Sequence, residues 1–74
     1  MIFDFSKLRG RIYEKFGNCA NFAAAVGLSE PSLSARLNGR IALSSDEIVH
    51  WSQPEVLDIP AEEIPAYFLT PKVR

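Results

Sequence analysis

One cysteine, one histidine and one methionine are all that this chain of 74 residues carries of those types. A single cysteine, Cys19, excludes an intramolecular disulfide and any zinc site built from several cysteines. The lone histidine, His50, has no partner at a spacing that would make it a metal ligand or the base of a nucleophile. No apolar run approaches the roughly 18 residues of a membrane-crossing helix. Asp4, Lys7, Arg9 and Arg11 precede any sustained apolar stretch, so the start does not resemble a signal peptide, and a reducing cytoplasm is the expected location. Internal repeats, low-complexity segments and a Gly-rich phosphate loop are missing, and no carboxylate pair has a catalytic spacing. The expectation is a protein that is not an enzyme, with no cofactor, metal or small-molecule ligand.

The length sets one domain, residues 1–74, and a small one. Such a chain buries about 60% of its unfolded surface, so its stability is marginal unless it associates. A composition of 47% hydrophobic and 23% charged residues is that of a globular protein and not of a disordered one. The net charge is −1, but it is unevenly spread. Residues 1–40 carry six basic side chains (Lys7, Arg9, Arg11, Lys15, Arg36, Arg40) against three acidic ones, a balance of +3. Residues 41–74 carry two basic against six acidic side chains, a balance of −4. One basic end is what contact with phosphate requires; an uneven scatter of solvated charges is the plainer account.

Residues 18–39, NCANFAAAVGLSEPSLSARLNG, organise the rest. Asn18 caps a short helix over about 19–26 whose apolar side is Phe22, Ala23 and Val26. Gly27 ends it, because glycine tolerates the left-handed conformation of a tight C-cap. Leu28 anchors the turn. Ser29 is an N-cap for a second helix, about 30–37, with Pro31 in its first turn, where backbone N–H groups lack an intrahelical partner. Leu33 and Leu37 give that helix a buried stripe, and Asn38–Gly39 stop it. Helix, Gly-containing turn, helix is the length and layout of a helix-turn-helix.

Upstream, Phe5, Leu8, Ile12 and Phe16 mark one face of a helix over residues 6–16, capped by Ser6 or Asp4. Gly10 costs about 1 kcal/mol there relative to alanine and offers room for a neighbouring helix. Downstream, residues 41–45 read as a polar loop. Ser44 or Ser45 caps the next helix, which carries Asp46 and Glu47 in its first turn and Ile48, Val49 and Trp51 as apolar surface. Pro54 ends or kinks it near Ser52–Gln53. A short helical segment over 54–58 supplies Val56 and Leu57 to the core. Pro60 fits the first turn of a last helix, with Asp58 a possible cap, and Pro65 limits it. The tail, 67–74, reads as a short strand or an extended arm.

The positions of Ala23, Gly27, Leu33 and Asn38–Gly39 resemble the helix-turn-helix of Cro- and repressor-type bacteriophage regulators, the XRE family. More loosely, FDFSKLRGRI and EEIPAYFLTPKV are similar to small prophage-encoded Cro-like proteins. The resemblance implies a lambda-repressor-like all-α domain of four to five short helices with an extended C-terminal tail. It also implies a cytoplasmic, sequence-specific transcription regulator that binds double-stranded DNA. By position, Ser29, Glu30, Pro31, Ser34 and Ala35 would face bases. Arg9, Arg11, Arg36, Asn38 and Arg40 would touch phosphate. At Cys19, where such proteins commonly have Gln, backbone N–H groups at the helix start would receive a phosphate, while the thiol itself packs. Glu30 either accepts from a cytosine amine or is simply an anion at a helix N-terminus. Asn38 contacts phosphate, C-caps its helix, or both.

So few hydrogen-bonding side chains on one recognition helix point to reading by a homodimer. Tyr67, Phe68, Leu69 and Val73 are the candidate dimer contacts, through pairing of an unpaired edge; the competing reading folds them back onto the monomer's core. A second functional class stays open. Cys19, Glu30 and Pro31 depart from what DNA readout wants, and they fit a protein-interaction module, such as a repressor modulator, whose helix-turn-helix no longer reads DNA.

Overall fold

Local capping chemistry sets where most of the helices begin and end. The computed structural model describes residues 3–71. Among them the chain forms α1 (Ser6–Phe16), α2 (Cys19–Val26), α3 (Glu30–Leu37), α4 (Ser45–Trp51) and α5 (Ile64–Phe68), the last preceded by a 3₁₀ turn at Ala61–Glu63. The fold is a small all-helical one, as the periodicity indicates.

Asp4 opens α1: its Oδ1 accepts from the Ser6 N–H at 2.8 Å and the Ser6 hydroxyl at 2.6 Å. Leu8 and Ile12 line the buried side of α1. The Asn18 side chain accepts from the Asn21 N–H and starts α2. Gly27 ends it with φ 77°, a left-handed conformation that side chains resist. Ser29 accepts from the Ser32 N–H to start α3, with Pro31 in the first turn. Ser44 and Glu47 form a full capping box on α4: hydroxyl to backbone in one direction, carboxylate to backbone in the other.

These helices meet on one apolar cluster that includes Phe5, Leu8, Ile12, Phe22, Leu33, Leu37, Trp51 and Leu57. Fully burying a side chain of this size is worth about 1.5–3 kcal/mol. An aromatic column runs through it. Phe16 meets Phe22 at 5.2 Å, Phe22 meets Trp51 edge-on at 5.0 Å, and Trp51 meets Phe68 at 6.4 Å between ring centroids. The column ties α1, α2, α4 and α5 together, and so fixes the helix-turn-helix against the C-terminal third.

Several expectations are corrected. Gly10 has no atom within 4 Å of where a Cβ would stand, so it serves no close helix approach. Residues 54–57 form a turn, and 54–58 hold no helix. Pro54 ends α4 as expected, but the chain then doubles back: Leu57 and Ile59 donate to the Trp51 and Ser52 carbonyls. Asp58 caps no helix. It sits at φ 51°, a positive value for a non-glycine residue. Ile59, which carried no sequence signal, is buried there. Pro65 does not limit the last helix but lies in its first turn.

Tyr67 and Phe68 are not available as dimer contacts. They are 7% and 2% exposed and close the core of their own chain, with the Lys7 ammonium 4.7 Å over the Tyr67 ring. The edge expected to seek a second copy is paired within the chain. Asp4 N–H donates to Thr70 O at 2.7 Å, and Phe3 and Pro71 form an antiparallel bridge. Leu69 is 48% exposed, and Val73 lies outside the described residues.

Candidate functional site

The outer face of the helix-turn-helix carries the residues expected to meet DNA. Glu30, Pro31 and Ser34 are exposed on α3. The Ser29 hydroxyl is committed to the cap, accepting from the Ser32 N–H and donating to the Ser32 hydroxyl. Ser34 accepts from the Asn38 amide at 3.1 Å. Ala35 is half-buried, and its carbonyl accepts from the Arg40 and Ile41 N–H groups. Cys19 is half-buried and packs against the edge of the core. Among Ser29, Glu30, Pro31, Ser34 and Ala35, no side chain offers the bidentate geometry that distinguishes guanine or adenine.

The arginines tell more. Arg9 reaches from α1 to the end of α3, donating to Leu37 O at 3.1 Å and to Asn38 Oδ1 at 3.0 Å. Arg11 donates to Leu57 O at 2.8 Å and Asp58 O at 2.7 Å, and pairs with Glu14 at 2.9 Å. Arg36 pairs with Glu47 at 2.6 Å and donates to Ser32 O at 3.0 Å. Three guanidiniums expected to face phosphate therefore brace the fold from within. They saturate carbonyls at a helix end and at the Leu57–Asp58 corner. Freeing them for phosphate would leave those acceptors to water. Asn38 serves as the C-cap and is held by Arg9. Arg40 is exposed and, among the described residues, makes no side-chain bond.

The Arg36–Glu47 pair has an electrostatic consequence. Burial by itself pushes the Glu47 carboxyl up, but the Ser44 backbone N–H and the Arg36 guanidinium together outweigh it and hold the group below its ordinary value. The pair is fixed at both ends, since Glu47 also closes the capping box.

Beside this pair lies an apolar cleft of about 160 Å³. Phe3 and Phe5 line it together with Phe68 and Leu69, and Gly39, Ile41, Ala42 and Leu43, with Arg36 and Ile48, complete it. The loop expected to be polar is in fact one wall of this cleft. Ile41 and Leu69, 44% and 48% exposed, are two of the large hydrophobic side chains that the chain leaves in water, and both line it. The sequence signal was present in Ile41-Ala42-Leu43, three apolar residues in a row. The serines after them obscured it, and the approach of Phe3 and Leu69 from both ends of the chain could not be seen locally. Among the described residues no cluster of His, Cys, Asp or Glu forms a metal site. No helix there is long and apolar enough to cross a membrane.

No curated protein matches this chain. Among solved structures it is similar to the solution structure of the modulator of repression (MOR) of the temperate bacteriophage TP901-1 from Lactococcus lactis. The two are 42% identical, with a TM-score of 0.81, over 100% of this chain and 97% of that one. The family model described as "Protein of unknown function (DUF739)" matches residues 1–71, and the chain belongs to that family. These findings overturn the resemblance to Cro- and XRE-type DNA-binding regulators. The helix-turn-helix spacing is shared, but a modulator of repression is a different kind of protein.

Proposed function

We propose that this member of the DUF739 family is a protein-interaction module that modulates a phage repressor by binding it, and that it does not read operator DNA on its own. The reading assigns it no catalysis. One observation carries it: Arg9, Arg11 and Arg36, half of the basic side chains in the N-terminal forty residues, are spent on the chain's own carbonyls and carboxylates. A DNA-binding protein keeps such groups free, because affinity comes from displacing counterions at phosphates. The exposed Glu30 at the start of α3 adds a negative charge where a phosphate would approach. The full-length likeness to a phage modulator of repression supports the same reading, as does an exposed apolar cleft on a chain this small.

The test uses two titrations of the intact chain. In one, a fluorescent random-sequence duplex is titrated at low salt. In the other, the purified repressor of the same phage is titrated by calorimetry. The expected result is a defined stoichiometric complex with the repressor and no salt-sensitive binding to duplex. Steeply salt-dependent duplex binding with no repressor complex overturns the proposal.

A further inference from the structure

We propose that the cleft beside Arg36 receives one bulky apolar side chain of the protein partner, Leu, Met or Phe, flanked on the partner by a carboxylate that Arg40 meets. This rests on the reading just given and names the contact it needs. The size of the cleft selects the occupant. At about 160 Å³ it falls below the roughly 300–1,000 Å³ of a small-molecule site. An apolar void of roughly 150 Å³ takes a benzene-sized group, so one aromatic or leucine side chain fills this one. The walls agree with that. Phe3, Phe5, Leu43 and Phe68 are apolar, and the guanidinium of Arg36 is paired with Glu47 and donates to Ser32 O. There are no convergent polar groups to orient a metabolite.

The rim selects the charge. Ile41 and Leu69 flank the opening and stand in water. Arg40 lies in sequence between the lining residues Gly39 and Ile41. The other charges near the cleft are occupied: Asp4 accepts from Ser6 at the start of α1, and Glu47 is held by Arg36 and Ser44. Arg40, exposed and next in the chain to the lining residues Gly39 and Ile41, is the cation that complements an anchor with an acidic neighbour. Anchors of this kind, buried at the centre with charges at the rim, dominate the energetics of protein interfaces. Rim charges act mainly on the association rate and its salt dependence.

The experiment uses the full chain and the purified repressor of the same phage. Methyl groups of Ile and Leu are labelled and followed by NMR during the titration, and affinities are measured for variants that circular dichroism shows to be folded. The proposal expects Ile41, Leu43 and Leu69 methyls to shift on binding. It expects Ile41→Asp and Leu69→Asp each to lose at least tenfold in affinity. Val49→Asp, an exposed site on α4 outside the cleft, should bind as wild type. Arg40→Glu should bind more slowly, with a reduced salt dependence. Wild-type affinity in both Ile41→Asp and Leu69→Asp overturns the cleft as the contact while the protein-binding reading survives. Absence of any complex with the wild-type chain overturns both. Shifts of the cleft methyls with concentration of the chain alone would show that a second copy covers it, which also overturns the proposal.

Discussion

Replacing Arg36 by methionine removes the guanidinium and keeps most of the stem. The loss can be sized from the structure. Two bonds disappear: the pair with Glu47 at 2.6 Å and the bond to Ser32 O at 3.0 Å. The side chains are 17% and 23% exposed, between the surface pairs worth about 0–1 kcal/mol and the buried pairs whose breakage costs about 3–5 kcal/mol. A cost of about 2 kcal/mol follows. For a domain of this size that lowers the melting temperature by about 8–16 °C. The pH dependence gives a second readout. Glu47 is held below its ordinary value when folded, so the unfolded chain binds that proton more tightly. The contribution is therefore complete above the unfolded pKa and is lost as pH falls through the folded one. Thermal melts followed by circular dichroism at neutral and acidic pH should show a large gap between wild type and Arg36→Met at neutral pH that narrows on acidification. A gap below about 0.5 kcal/mol, the size of a surface substitution, or one that is the same at both pH values, would refute the assignment of Arg36 as a brace between α3 and α4.

The glycines give opposite expectations. Gly10 is exposed in mid-helix with nothing near its missing Cβ, so Gly10→Ala should stabilise by about 1 kcal/mol in urea unfolding; a loss would mean a contact at that face. Gly27 has equal space but φ 77°, so Gly27→Ala should destabilise by about 1–2 kcal/mol through backbone strain alone. Trp51, 2% exposed at the centre of the aromatic column, should cost about 3–5 kcal/mol as Trp51→Ala, enough to collapse the near-ultraviolet circular dichroism signal of a domain this small; a retained signal would contradict its central place.

What was legible in the sequence was local. Asn18, Gly27, Ser29 and Asn38 set the ends of α2 and α3 by bonds spanning a few residues, and Gly17 ends α1. Leu33 and Leu37 are buried as their spacing indicates, whereas of the apolar residues on α4 Trp51 is buried and Val49 is exposed. The path after Pro54 was not legible, because it depends on Leu57 and Ile59 returning to carbonyls of α4 and on Arg11 reaching from α1 to the corner they make. The basic half misled for a related reason. Counting charges reports how many arginines there are, whereas the acceptors of Arg9 lie 28 and 29 residues away and those of Arg11 at Leu57 and Asp58 lie 46 and 47 away. The same distance hid the cleft, which joins Phe3 and Phe5 to Ile41, Leu43 and Ile48 and to Phe68 and Leu69.

Whether this chain acts on a repressor or on DNA can be decided in one experiment. The most direct measurement is a competition in one cell: the phage repressor bound to a labelled operator duplex, with the intact chain added and both duplex anisotropy and complex mass followed. The expected result is a new species containing repressor and this chain, with no species of this chain and duplex alone. Binding of the chain to the duplex in the absence of repressor, weakening steeply with salt, together with no repressor-containing complex, would contradict it.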